Sequence, residues 1–383
     1  MQGSQQKAIA LSQSFSFIRT LEIDETTGVM ATAPTTHFLA QEQDIISSLD
    51  LNNDNVLTVT TWDGTVNVYD INRYQGNEME TIDASSIYSV THEYPILSSY
   101  NNSTIDSAQW FFGDVQGNLL MGDLRKQNLF VQKITLQSQI NDENKAFSSA
   151  VAGVGICRLK GSQDRRSLIT ASWHGDLRVV DTRTLTTAAH TNTEKKIFAM
   201  DFNESSMKIC CTNPSNSVDI RDIRKLDKPY EVRESGLRDQ VRDLKIMNGG
   251  EGYAQCSVAG RVTVDYFDES LQTKKYGFRC HRKNLKDVDY VYSVNSICFK
   301  PNSNIFFSGG SDGKVSMWDY QLKKRLKTLD SFNSQSVVKL ACNEKYLVIA
   351  CSDDHFKTDP VLTFVDKTSA SMVLPSNLYI YSF

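Results

Sequence analysis

Residues 251–286 read EGYAQCSVAGRVTVDYFDESLQTKKYGFRCHRKNLK. Apolar residues alternate over Tyr253–Val258, stop at Ala259-Gly260, and resume over Arg261–Phe267. A period of two broken by a small-residue pair predicts two antiparallel strands around a tight turn. After the polar run Asp268–Lys275, a third strand is expected at Tyr276–Cys280. Three such strands make most of one β-propeller blade. The stretch is also basic: Arg261, Lys274, Lys275, Arg279, Arg282, Lys283 and Lys286 fall within it, in a chain of net charge −4.

Outward from this stretch the same third run recurs. It reads TTWDGTVNVYDI (60–71), GDVQGNLLMGDL (113–124), ASWHGDLRVVDT (171–182), TNPSNSVDIRDI (212–223), SVAGRVTVDYFD (257–268) and SGGSDGKVSMWD (308–319). The turn positions Gly64, Gly117, Gly175, Asn216, Gly260 and Gly313 recur every 41–58 residues, the spacing of blades with variable loops. A tight hairpin needs positive φ at this position, which glycine supplies and asparagine tolerates. A seventh copy runs from Ser336-Val337-Val338 through 346–354 to Asn377–Phe383. The fold class is therefore all-β, a seven-bladed WD-repeat β-propeller. Its ring is expected to close with His37–Gln41 as the outer strand of the last blade, beside Asn377–Phe383. The domain reading is a disordered extension at 1–33 and one propeller at 34–383; no Pro/Gly/Ser-rich linker divides the chain.

Composition bounds the function. Over 383 residues, 40% hydrophobic and 22% charged content is that of a globular protein. The slight negative charge argues against bulk nucleic-acid affinity, so an anion would have to bind at a local patch. No apolar run approaches membrane-spanning length, and the polar N-terminus has no secretory h-region. The eight cysteines form no CxxC pair and sit in strand-like runs, as buried free thiols do. Cys210-Cys211 are adjacent strand residues facing opposite sides, and Cys280-His281 lacks metal-ligand spacing. Asp353-Asp354-His355 cannot form a hydrogen-bonded relay from consecutive residues. The run 308–314 lacks P-loop spacing and reads as a hairpin. No cofactor, metal or catalytic site is expected.

Several segments resemble one family: TTWDGTVNVYD, GDVQGNLL, LITASWHGDLRVVD, ESGLRDQVRD, GRVTVDYFD, FRCHRKNLKD, YSVNSICF and GGSDGKVSMWD. They are similar to the WD-repeat proteins of the budding-uninhibited-by-benzimidazole (Bub) group, which serve the mitotic spindle-assembly checkpoint. FRCHR and ESGL are the distinctive parts; the blade pattern is not. The residues before Met30 depart from the family, as an addition of this protein or because the chain starts at Met30. The resemblance implies a non-enzymatic, monomeric scaffold in the nucleus, at kinetochores in mitosis. The implied partners are the GLEBS motif of a checkpoint kinase and of its pseudokinase-like relative, and phosphothreonine in MELT-type repeats of the outer-kinetochore scaffold. The mitotic checkpoint complex and the anaphase-promoting complex complete the implied set, with no direct nucleic acid and no membrane. A near paralogue, the mRNA-export propeller of the nuclear pore, is the alternative.

Blade topology combined with this resemblance nominates the site. Turns between the second and third strands share a face with the connection entering the first strand, so Trp62, Trp173, Arg261 and Lys314 are expected around one rim. Arg238 and Arg242 lie at the start of the fifth blade, and Arg279 ends its last strand. The reading assigns Arg261 and Arg279 to phosphate, and Trp62, Trp173, Arg238 and Arg242 to peptide. Trp62 and Trp173 are expected to be exposed at their turns, whereas Trp318 and Trp110 are expected to pack internally.

Overall fold

The computed structural model describes residues 36–74, 85–101, 109–123, 132–134, 154–162, 166–285, 288–329, 332, 335–353 and 374–383. The extension read at 1–33 lies outside them. The described residues form seven four-stranded antiparallel sheets and one two-stranded hairpin. Beside the strands stand two short 3₁₀ segments, Ile71–Tyr74 and Glu269–Lys274.

Each sheet is one blade, with strands a to d running from the centre outward. Strands a span Ile46–Leu51, Ile96–Asn101, Ile156–Gly161, Ala199–Asn203, Val241–Ile246, Val294–Phe299 and Ser336–Cys342 for blades one to seven. Each packs against the next, and the seventh against the first, which closes the ring. In blade five, strand b is Gly252–Ser257, c is Arg261–Tyr266 and d is Tyr276–Arg279. In blade seven the d strand comes from the other end of the chain: Thr36–Glu42 pairs antiparallel with Ser376–Ser382, with Gln41 opposite Asn377. That pairing covers an edge that would otherwise be open.

Period-two alternation places the core. Seven apolar clusters fill the seven gaps between neighbouring blades. Successive residues of one strand feed opposite gaps: Phe306 packs toward blade five and Phe307 toward blade seven. Cys210 and Cys211 do the same on either side of blade four. A fully buried side chain of this size contributes about 1.5–3 kcal/mol, so both faces of each blade must be apolar. All eight cysteines are free, and all but Cys342 are buried. Trp110 is buried and donates Nε1–H to Thr58 Oγ1 at 2.8 Å.

The seam holds one buried carboxylate. Glu42 accepts from Asn67 Nδ2 at 2.6 Å and Tyr69 OH at 2.7 Å, which ties the closing strand to strand c of blade one. Burial pushes its carboxyl up from the ordinary value, although both hydrogen bonds oppose the shift.

Candidate functional site: an arginine pair on one rim

A repeated set of backbone bonds builds the rim. In five blades, among the described residues, the residue opening the b–c turn donates its N–H to the residue just before strand a of the same blade. These bonds are Trp62 to Ile45 (3.0 Å), Val115 to Pro95 (3.0 Å), Trp173 to Gly155 (3.1 Å), Val258 to Gln240 (3.1 Å) and Ser311 to Ser293 (2.9 Å). The end of strand d is pinned to the same turn, as in Cys280 N–H to Gly260 O at 2.9 Å. The b–c turns, the entries to strand a and the ends of strand d therefore share one face.

Gly260 shows why the turn needs glycine. Its φ is +61°, and a Cβ there would lie 2.8 Å from Cys280 O and 3.0 Å from Tyr292 O. Asn216 occupies the equivalent slot in blade four at φ +53°.

The turn at Gly260 sets the register that matters most. Arg261, first in strand c, is the cross-strand partner of Arg279, last in strand d. Their side chains share a face by strand alternation. Val262, Val264 and Phe278 between and beside them pack toward blade six. The arginines thus face blade four, as does Thr263, whose Oγ1 donates to Ser235 O at 3.4 Å. Ser235 begins the connection that carries the exposed Arg238 into blade five. Arg279 is exposed and Arg261 half-buried. Among the described residues neither guanidinium forms an ion pair.

The rest of the basic stretch is differently employed. Lys274 and Lys275 belong to the c–d connection, on the opposite face from the b–c turns. Lys275 Nζ is 2.5 Å from Asp265 Oδ2, and Arg282 Nη1 is 2.7 Å from Asp289 Oδ2. Arg282 Nη2 also donates to Ala259 O at 3.1 Å, so it braces the turn. Lys286 lies outside the described residues.

Arg242 sits at a bulge. The register of strand a slips between Val241 and Asp243, and an equivalent slip occurs in strands a of blades one, two, three, six and seven. A bulge re-aims the extra side chain; Arg242 is half-buried and its Nη2 is 3.5 Å from Asn295 Oδ1 in blade six. Trp62 is 43% exposed, as its turn position implies. Trp173 is not: it is half-buried, so the exposed-turn expectation holds for the first tryptophan and not for the second.

Two features escaped the sequence reading. Arg282–Leu285 and Val288–Val291 form an extra hairpin between blades five and six, with Leu285, Val288, Tyr290 and Val291 exposed. His281 is buried in a polar chain: Nδ1 is 2.7 Å from Asp312 Oδ1, and Nε2 is 2.9 Å from Ser308 Oγ. Trp318 Nε1 donates to the same Ser308 Oγ at 2.9 Å, and its ring packs against Phe278 and Phe306. The full Trp318-Asp319 dipeptide marks this blade, but His281 carried no spacing signal.

Comparison with known proteins fits this architecture. Residues 275–319 match the family "WD domain, G-beta repeat". The mitotic checkpoint protein bub3 of Dictyostelium discoideum is 29% identical over 334 residues, 85% of this chain and 91% of that protein. The mitotic checkpoint protein BUB3.1 of Arabidopsis thaliana is 30% identical over 309 residues, 79% of this chain and 82% of that protein. A poly(A)+ RNA export protein of Schizosaccharomyces pombe is 28% identical over 272 residues, 71% of this chain and 70% of that protein.

Proposed function

The chain belongs to the Bub3 family of mitotic checkpoint proteins, and on that footing we propose that it is a spindle-assembly-checkpoint adaptor that reads phosphothreonine. The Arg261–Arg279 pair grips the phosphate of MELT-type repeats in the outer-kinetochore scaffold. Trp62, Trp173, Arg238 and Arg242 receive the GLEBS motif of the checkpoint kinase and of its pseudokinase-like relative on the same rim. Holding both at once brings the kinase to unattached kinetochores in the mitotic nucleus. The adaptor also joins the soluble complex that inhibits the anaphase-promoting complex.

One observation carries this reading: two arginines directly opposite each other in the ladder, neither with an ion-pair partner among the described residues. A phosphothreonine brings a charge of about −1.5 to −2 and three acceptor oxygens. Arginine meets such oxygens through paired N–H donors. Binding of phosphorylated and unphosphorylated MELT-type peptides to the purified chain tests the reading, with capture of the phosphorylated form alone expected. Equal capture of both would favour the transport role that the export-protein relative represents.

A further inference from the structure

Cys298 and Cys342 stand near the ends of two neighbouring strands a, Val294–Phe299 of blade six and Ser336–Cys342 of blade seven. Asn295 Nδ2 donates to Val337 O at 2.9 Å, and Leu340 N–H donates to Ser296 Oγ at 3.1 Å. The two strands therefore run in the same direction, with Ser296 beside Leu340. Two residues further along each strand, Cys298 comes level with Cys342. Alternation turns both toward one gap. Cys298 is buried in the apolar cluster between blades six and seven, and Cys342 packs against that cluster. Their strand neighbours face away: Phe299 packs toward blade five and Ala341 toward blade one. The two thiols lie within hydrogen-bonding reach of each other, and Cys342 Sγ–H also donates to Asn343 O at 3.3 Å.

Among the eight cysteines Cys342 is the one that is not buried, so a small oxidant reaches it first. The other cysteine of this gap, Cys351, stands opposite Val337, at the far end of strand a. Cys256 and Cys280 share the gap between blades five and six, and both are buried. A disulfide needs side chains directed at each other. Level placement on one gap meets that condition for Cys298 and Cys342. Burial and the adjoining Cys342 thiol push the Cys298 thiol up. Cys298 therefore stays protonated and is suited to the second step of a two-thiol oxidation, not the first.

We propose that Cys342 and Cys298 are an oxidation site for hydrogen peroxide, closing a reversible disulfide between blades six and seven. The Cys342 thiolate attacks one peroxide oxygen and the O–O bond breaks. Hydroxide leaves and takes up the proton lost by Cys342, giving water and a sulfenic acid. The Cys298 sulfur then attacks the Cys342 sulfur and the S–OH bond breaks. Hydroxide leaves with the Cys298 proton as a second water. The two thiols lose two electrons, and one peroxide gains them. The bond staples the two strands at the end away from the Arg261–Arg279 rim, so it does not depend on phosphopeptide binding. A thiol reductant reverses it.

Peptide mapping of the full chain after hydrogen peroxide treatment tests this. Unreacted thiols are alkylated under denaturing conditions, and the tryptic peptides are separated without reductant. Residues 287–300 and 340–345 each carry a single cysteine, Cys298 and Cys342. These two peptides should appear joined, in protein that migrates as a single chain, while the remaining cysteines are alkylated. Dithiothreitol should release them. Cys298→Ser should leave Cys342 as a sulfenic acid that dimedone traps, and Cys342→Ser should leave Cys298 reduced. The proposal is overturned if methionines oxidise while this pair stays unlinked, if another cysteine pair links in its place, if the link joins two chains, or if Cys298 oxidises equally well in the Cys342→Ser variant.

Discussion

Arg261 of strand c stands directly opposite Arg279 of strand d at the rim end of blade five. Opposed residues in such a ladder lie about 4.5–5.5 Å apart, and like charges there are destabilising. Arg233, on blade four, spends its charge on Glu231 and Asp265. The rim pair has no such outlet among the described residues, and an incoming phosphate would supply one.

The turn that aligns the pair should be intolerant of a side chain. Gly260→Ala should lower stability by about 1–3 kcal/mol, through positive φ and the approach to Cys280 O and Tyr292 O. Urea denaturation measures the loss; an unchanged midpoint would mean that the turn relaxes freely.

Trp62 and Trp173 should behave differently. Trp62→Ala should weaken GLEBS-peptide binding by about 2–4 kcal/mol with little change in melting temperature, as an exposed hot-spot residue does. Trp173→Ala should lower both, because its ring is half-buried. Calorimetry and thermal melts on each variant distinguish the two; a Trp62 variant with full affinity would remove it from the interface.

The buried chain through His281 should be structural. Ser308→Ala strips a shared partner from His281 Nε2 and Trp318 Nε1, at a cost of about 1–3 kcal/mol. Denaturation should register this while phosphopeptide affinity stays near wild type, since among the described residues neither rim arginine is hydrogen-bonded to the chain. A selective loss of affinity would assign the chain to the site.

Lys339 should make stability depend on pH. Its folded value of about 7 lies below the ordinary 10.5, so between these the unfolded chain binds more protons. Stability therefore rises with pH across that window, and the penalty is complete below about 7. Arg158, Arg242 and Lys245 add to it and Asp243 opposes it. Lys339→Met should flatten this rise and stabilise the chain at pH 6–7 by about 1–3 kcal/mol, discounted because the side chain retains solvent contact. Denaturant midpoints at pH 6 to 10 give the result, and a parallel profile for the variant would contradict it.

The blade count was legible because the turn positions impose positive φ, which restricts them to Gly64, Gly117, Gly175, Gly260, Gly313 and Asn216. Alternation located the cysteines and Trp110, since residues i and i+1 must serve opposite interfaces. The shared rim followed from strand order alone. Pairing between side chains was not legible. Nothing in the spacing of Lys275 and Asp265, or of Arg282 and Asp289, announces an ion pair, so the basic stretch seemed freer than it is. His281 lies 31 residues from Asp312, and only the ring brings them together. Lys339 is one polar letter in the apolar run SVVKLAC, and its cationic neighbours come from blades three and five. The half-burial of Trp173 depends on neighbours that turn position does not reveal.

The phosphate-reading claim is tested most directly by a double-mutant cycle. Arg261→Ala, Arg279→Ala and the double variant are titrated with phosphorylated and unphosphorylated MELT-type peptide. If both arginines grip one phosphate, each single change costs about 2–5 kcal/mol with the phosphorylated peptide, the range for truncating one side of a desolvated charge pair. The double variant loses less than the sum, because the second arginine cannot hold a phosphate already released. Lysine at 261 recovers only part of the affinity, lacking the planar fork. The unphosphorylated peptide binds weakly and is nearly indifferent to every change. Equal losses for the two peptides would contradict the account and leave the arginines as general peptide contacts.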